Sequence, residues 1–164
     1  MITELKPNQV FVYGCNSSMF QGAGAAGFAF SGTVKNDWRT CPLKQSAIKN
    51  PFGINKSGRE NRVGRWNVWG FNDCLFQKGY LGSSYGIITV ERPGGPKIPL
   101  LNIRWQFEVL FNVAKKNPDK EFLMTAVGTG YGGYTHEEIN KEWRAAIDSF
   151  GHLPSNIVEV GSYV

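Results

Sequence analysis

EFLMTAVGTGYGGYTHEE, residues 121 to 138, decides the fold class. Its opening, Glu121 to Val127, is nearly all apolar, as expected of a central strand covered on both faces. Gly128-Thr-Gly-Tyr-Gly-Gly-Tyr134 ends the strand in a glycine loop. Thr135-His-Glu-Glu138 then matches a capping box, with Thr135 as N-cap and Glu138 reaching back. The helix this starts continues through Ile139, Trp143, Ala146 and Phe150 to Gly151. Strand, glycine loop and capped helix follow one another without a break.

The same order appears upstream. Gln9 to Tyr13 is a short β-branched and aromatic run between Pro7 and Gly14, which reads as a buried strand. It leads into GCNSSMFQGAGAAGFAF, residues 14 to 30, in which Ala23 to Phe30 opens a helix packed closely on the strand. Ser84 to Val90 reads as a further strand, ended by ERPGGP. In Leu101 to Lys116 the residues Ile103, Phe107, Leu110, Phe111 and Ala114 recur at helical spacing. Asn102 is placed to cap that helix and Asn117-Pro118 to stop it. A last strand covers Asn156 to Val160. Strands alternating with helices predict an α/β domain, with a mixed, mostly parallel sheet flanked by helices on both faces. The strands at Gln9–Tyr13, Ser84–Val90 and Glu121–Val127 are expected side by side at its centre. Both glycine loops follow the carboxyl ends of strands, where open α/β sheets bind ligands.

A chain of 164 residues fits one domain, and 41% hydrophobic with 13% aromatic residues suffices for a core. Twenty glycines are many for this length. Glycine loses more backbone entropy on folding than any other residue, so such a content points to sharp turns or close backbone approach. Cys15, Cys41 and Cys74 stand far apart with no C-x-x-C pair, which argues against a disulfide framework or a zinc site. No stretch approaches the length of a membrane helix, and MITELKPNQ lacks a signal-peptide core, so cytoplasmic residence is expected. The sequence carries no signature of a cofactor or a metal.

The net charge of +5 is unevenly spread. Between Gly32 and Trp66 eight basic residues, among them Arg39, Lys44, Arg59, Arg62 and Arg65, face only Asp37 and Glu60. They lie in an irregular insertion at about residues 32–78, punctuated by proline and glycine and rich in aromatics. RVGRWNVWGF, residues 62 to 71, alternates as one or two short strands. Long irregular segments in compact domains are often lids or binding loops, so the insertion is expected to flank the ligand cleft. A local positive field favours phosphorylated or polyanionic partners.

The two loops together resemble those of the macro domains. That family carries, after a strand, an asparagine, a hydrophobic residue three positions on, and a G-G-G-V-A-like run six positions on. Here Asn16, Met19 and Gly22-Ala-Gly24-Ala-Ala26 hold those spacings. The family closes its site with a segment like G-T-G-x-x-G-Y behind a buried strand, and Gly128, Thr129, Gly130, Gly133 and Tyr134 stand in that register. The chain is most like small bacterial and phage macro-like proteins. The resemblance spans the first strand's region and residues 79 to 150, and leaves out the insertion.

It implies an ADP-ribose-like nucleotide, or an ADP-ribosylated substrate, held by Gly14, Gln21, Gly22, Ala23, Gly24, Ala25, Ser84, Gly128, Thr129, Gly130, Tyr131, Gly132, Gly133 and Tyr134. Bare glycine backbone and two helix N-termini suit a diphosphate. Thr129 adds a hydroxyl, and Tyr134 would pack against the ribose or adenine-distal side. In members that hydrolyse ADP-ribosyl bonds, the residue matching Asn16 orients the distal ribose or an attacking water. The alternative is that Asn16 only satisfies its own loop backbone. The family's early acidic residue, which reads the adenine amino group, has no counterpart near Val10 to Tyr13. Glu4 lies too far upstream, which leaves the base open.

Two non-enzymatic readings compete. One is nucleic-acid binding through the basic insertion, with Trp38, Trp66 and Trp69 as stacking platforms. The other is sequestration of a nucleotide signal without turnover. His136 and His152 pair with no nucleophile motif, and Cys15 beside Asn16 reads as a small buried hydrophobe.

Overall fold

Which residues neighbour which is settled by a computed structural model that describes residues 5–17, 83–92, 94–130 and 132–161, and the backbone of 76–78. Among the described residues five strands form one sheet: β1 (Gln9–Asn16), β2 (Phe76–Lys78), β3 (Ser83–Val90), β4 (Glu121–Thr125) and β5 (Ile157–Gly161). Two helices accompany them among these residues, α1 (Leu100–Lys116) and α2 (His136–Phe150). The sheet order is β2-β3-β1-β4-β5. β3, β1, β4 and β5 run parallel, and β2 lies antiparallel on the outer side of β3. The architecture is therefore α/β with a mixed, mostly parallel sheet. The three strands expected at its centre are neighbours in the order β3-β1-β4.

Side chains of both parities along β1 are buried, Val10 and Val12 as much as Phe11 and Tyr13. Both faces of the central sheet are thus covered, which is why these runs are apolar throughout rather than alternating. The connections β3–α1–β4 and β4–α2–β5 step the same way along the sheet. Right-handed crossovers then put both helices on one face, where Trp143 of α2 meets Phe107 and Phe111 of α1 edge-on at 4.9 and 5.1 Å. Burying an aromatic of that size contributes about 2–3 kcal/mol. Arg104 Nε donates to the buried Glu142 at 2.6 Å and ties the two helices together. The step from β1 to β3 runs the other way, and its connection apart from β2, including the helix expected from Ala23, lies outside the described residues.

Several element ends differ from the sequence reading. β1 continues three residues beyond Tyr13, because Gly14, Cys15 and Asn16 stay paired to Ile87, Ile88 and Val90 of β3. Pairing overrides the poor strand propensity of glycine and asparagine. β4 stops at Thr125, two residues early, where the threonine hydroxyl donates to Val12 O at 2.6 Å. α1 is led by Pro99 rather than capped by Asn102, whose amide already bonds Pro99 O at 2.9 Å within the first turn. Asn156 begins no strand. Its side-chain amide donates to Ala114 O, Asn117 O and Lys120 O and so clamps the end of α1. β2 falls in a span that shows no periodicity in the sequence.

Among the described residues β2 pairs with β3 from Ser83 to Tyr85. Farther along β3 the Gln106 side chain, fully buried on α1, accepts from Ile88 N and donates to Ile88 O, both at 2.7 Å. A buried backbone pair left bare would cost about 1–3 kcal/mol per group. The capping box on α2 is present in full, with Thr135 Oγ1 accepting from Glu138 N and Glu138 Oε1 from Thr135 N, each at 3.1 Å. Gly151 ends α2 at φ 109°. Among the described residues no helix is long and apolar enough to cross a membrane.

Candidate functional site

The sheet opens where its connections change direction. From β1 the chain steps to β3 on one side, and from β3 to β4 on the other, so the switch point lies between β1 and β4. Open α/β sheets bind ligands in the crevice at that point, beyond the carboxyl ends of the strands. The β1–β4 ladder ends at the Val12–Met124 pair, while β1 remains paired with β3 as far as Asn16 and Val90. The last four residues of β1 therefore keep a ladder partner on the β3 side only, and the chain leaving β4 is free to fold over them.

It does so. A Cβ placed on Gly14 would lie 3.4 Å from Gly128 N and 3.7 Å from both Val127 Cα and Thr89 Oγ1. Gly14 and Gly128, 114 positions apart in the chain, are in backbone contact. Gly128 takes φ +76°, and a Cβ there would come within 2.8 Å of Ile139 Cδ1 on α2. The turn beyond it is closed by Gly133 N to Gly130 O and Tyr134 N to Gly128 O, both 3.0 Å. Gly132 sits so tightly in this turn that its Cβ would be 2.6 Å from Gly128 O.

Gly130 is different. It is exposed, its φ lies outside the left-handed region, and among the described residues a Cβ would meet nothing within 4 Å. No conformational or packing demand of the described residues requires a glycine there.

The remaining expected residues divide. Asn16 ends β1, buried, at the rim of the crevice. Next to it Ser17 binds the chain leaving β3, through Ser17 N to Val90 O at 3.1 Å and Oγ to Glu91 O at 2.8 Å. Thr129 lies half-buried in the second loop. Tyr134 is also half-buried, and its hydroxyl donates to Ile98 O at 2.6 Å. That bond fixes the ring to the protein's own backbone. Burial, aided by the Glu138 carboxylate, holds the phenol above its ordinary pKa. Ser84 is not brought to this place. It pairs with Phe11, three residues before Gly14's partner Ile87, roughly 10 Å back along the strand. Gln21, Gly22, Ala23, Gly24, Ala25 and Tyr131 lie outside the described residues, as do Arg39, Lys44, Arg59, Arg62 and Arg65.

Beside the second loop a cavity of about 280 Å³ runs between α2 and the ends of β4 and β5. Phe107, Met124 and Trp143 give it apolar walls, and Thr129, Asn140 and Glu159 give it polar ones. The indole N–H of Trp143 donates to Glu159 Oε1, which orients that carboxylate. His136 reaches the same cavity from the first turn of α2.

Three residues at the site escape a sequence reading. Thr89 lies inside a strand and shows no motif, yet its side chain contacts both Gly14 and Gly128. Glu159 belongs to the last strand. Lys97 packs its stem on Gly133 and holds its ammonium 4.8 Å from the centre of the Tyr134 ring. A lysine directly after a proline–glycine turn at a strand's carboxyl end is the one signal that would have pointed to it. No group of three or more histidine, cysteine or acidic residues able to hold a metal occurs among the described residues.

Compared by sequence, the chain matches no family model and no curated protein. Compared by structure, it is similar to the macrodomain of Mycobacterium tuberculosis DarG. The TM-score is 0.56 at 16% identity, over 98% of this chain and 91% of that one. The fold is macro domain-like. A protein of unknown function from Bacteroides thetaiotaomicron is similar as well, with a TM-score of 0.54 at 11% identity over 95% of this chain and 88% of that one. In this macro domain-like chain the crevice between β1 and β4, with Gly130 at its open side, is the candidate site.

Proposed function

We propose that the chain binds an ADP-ribose-like nucleotide, with the diphosphate laid along the second glycine loop. The observation that carries this reading is the contact of Gly14 with Gly128 at the switch point, which leaves Gly130 bare and outward. A diphosphate requires N–H donors at close range, and side chains beyond Cα would keep it away. The macro domain-like fold supports the choice of ligand. The neighbouring cavity, apolar-walled with a few fixed polar groups, has the character of a small-molecule subsite. Titration calorimetry with ADP-ribose tests the proposal, and saturable heat is expected. Absence of binding by ADP-ribose, its cyclic relatives and NAD up to millimolar concentration would overturn it.

The finer reading concerns turnover. Asn16, at the end of β1, would orient a distal ribose or a water through its side-chain amide, which has a donor and an acceptor at fixed geometry. Release of ADP-ribose from an ADP-ribosylated substrate, lost in Asn16→Ala while ADP-ribose still binds, is the expected result for a glycohydrolase. Binding with no release from any such substrate assigns the chain to sequestration or reading instead.

A further inference from the structure

We infer that Lys97 is an anion-binding residue of the second loop, contacting the phosphates of the ligand that loop holds. This rests on the nucleotide reading above for the identity of the ligand, but on separate residues for the site.

Lys97 is set in place by backbone. It forms an antiparallel bridge with Val90, and the turn between them is closed by Glu91 N to Pro96 O and Gly95 N to Arg92 O, at 2.9 and 2.8 Å. Ile98, fully buried, donates its amide to Thr89 O at 3.0 Å and accepts the Tyr134 hydroxyl at 2.6 Å. The segment is thus pinned both to the end of β3 and to the end of the second loop. Its lysine stem lies on Gly133, where a Cβ would sit 2.9 Å from Lys97 Cε, and Gly133 adopts φ +74°. Glycine at 133 therefore serves the turn and admits the lysine at once. The stem lies across the loop, and its ammonium ends over the face of Tyr134.

No acidic group among the described residues pairs with the Lys97 ammonium. Among the described residues the ion pairs are Arg92–Glu91 and Arg104–Glu142. Lys97 is itself exposed, so the ammonium is a hydrated charge resting on an aromatic face beside a glycine turn. A lysine held by its stem, with its charge uncommitted, gives up little further freedom on meeting an anion. Backbone amides supply only partial charges, whereas a diphosphate carries full ones. A charge-assisted contact is roughly twice as strong as a neutral one.

Full-length protein, wild type and Lys97→Met, would be titrated with ADP-ribose, inorganic pyrophosphate and adenosine at low and high salt. Methionine keeps an unbranched stem on Gly133 and removes the charge. For Lys97→Met we expect unchanged thermal melting, roughly ten-fold weaker binding of ADP-ribose at low salt and a smaller loss at high salt. Adenosine affinity should not change, and Lys97→Arg should restore most of the phosphate binding. If the wild type ignores ADP-ribose yet binds pyrophosphate, and Lys97→Met does not, the nucleotide reading falls while this inference stands. If Lys97→Met takes the phosphate probes as the wild type does, or the wild type takes neither, the inference is overturned.

Discussion

The carboxyl end of β1 and the loop that follows β4 look alike in sequence, each a glycine-bearing stretch behind an apolar strand, yet they are built differently. The end of β1 is regular strand: Gly14, Cys15 and Asn16 stay in the ladder with β3, and Cys15 and Asn16 are buried. The loop after β4 is irregular, with Gly128 and Gly133 at positive φ and Gly130 facing outward. Gly14 is bare so that the loop can lie on it. Within the loop, Gly128 and Gly132 are bare so that the turn can close. Gly130 alone in this loop is bare without a demand from the described residues. The lesson is that glycine richness mixes two purposes, room for the chain itself and room for a ligand, and contact geometry separates them.

Substitutions along this series test the separation, from the largest effect on stability to the smallest. Gly128→Val combines a left-handed backbone with a 2.8 Å clash against Ile139. Strain and overpacking together should remove about 3 kcal/mol or more. For a chain of this size that lowers the melting temperature by roughly 10 °C. A variant that melts within a degree or two of wild type would show that the loop re-forms without this glycine.

Gly14→Val comes next. Its Cβ meets Gly128 N and Val127 Cα at ordinary contact distances, but the branches beyond Cβ have to displace the loop. An expected loss of about 1–2 kcal/mol is read from urea unfolding, with Gly14→Ala close to wild type. If valine were harmless, the loop's rest on β1 would not be a tight one.

Gly130→Val should leave stability within about 0.5 kcal/mol of wild type, as for surface positions without special features. It should nonetheless abolish ADP-ribose binding, because the added branches occupy the approach to the backbone. Thermal melting and calorimetry on one preparation give both readings. A folded Gly130→Val protein that binds ADP-ribose normally would reduce the whole loop to a structural turn.

The smallest effect, an ionisation effect felt only at alkaline pH, compares one tyrosine from each region. Burial, and then the nearby Cys15, raises the Tyr13 phenol well above its ordinary pKa, while half-buried Tyr134 is raised by burial and Glu138. A raised folded-state pKa gives stability that is fully present below the ordinary phenol value of about 10 and is lost as pH climbs through the folded value. Alkaline titration should therefore destabilise the protein, and Tyr13→Phe should blunt that loss more than Tyr134→Phe. Equal blunting by the two variants would mean that the buried ring of β1 is no harder to ionise than the one on the loop.

Read alone, the sequence determined the elements and their kind. Apolar runs at 9–13, 84–90 and 121–127, stopped by flanking glycines and prolines, marked three strands, the last read as covered on both faces, although that strand ends at Thr125. The threonine and glutamate at 135 and 138 fixed where α2 begins, because a capping box satisfies its donors locally. The alternation of strands and helices, with the two spaced loops, made the macro-like architecture legible before any coordinates. Tertiary structure alone decided the rest. Whether Gly14 is loop or ladder depended on β3, a partner about seventy residues away. The placing of Ser84 depended on strand register, which no local pattern records. Gln106 meets both backbone groups of Ile88 only because α1 packs on β3 beyond Tyr85, where the described pairing with β2, which starts at Phe76, is over. Lys97 reaches the second loop only because Ile98 and Tyr134 bond across 36 positions. Local propensities act over a few residues and can be read along the chain. A binding crevice at a switch point is made by strands that meet from distant parts of it, and its side chains acquire their roles when those ends come together.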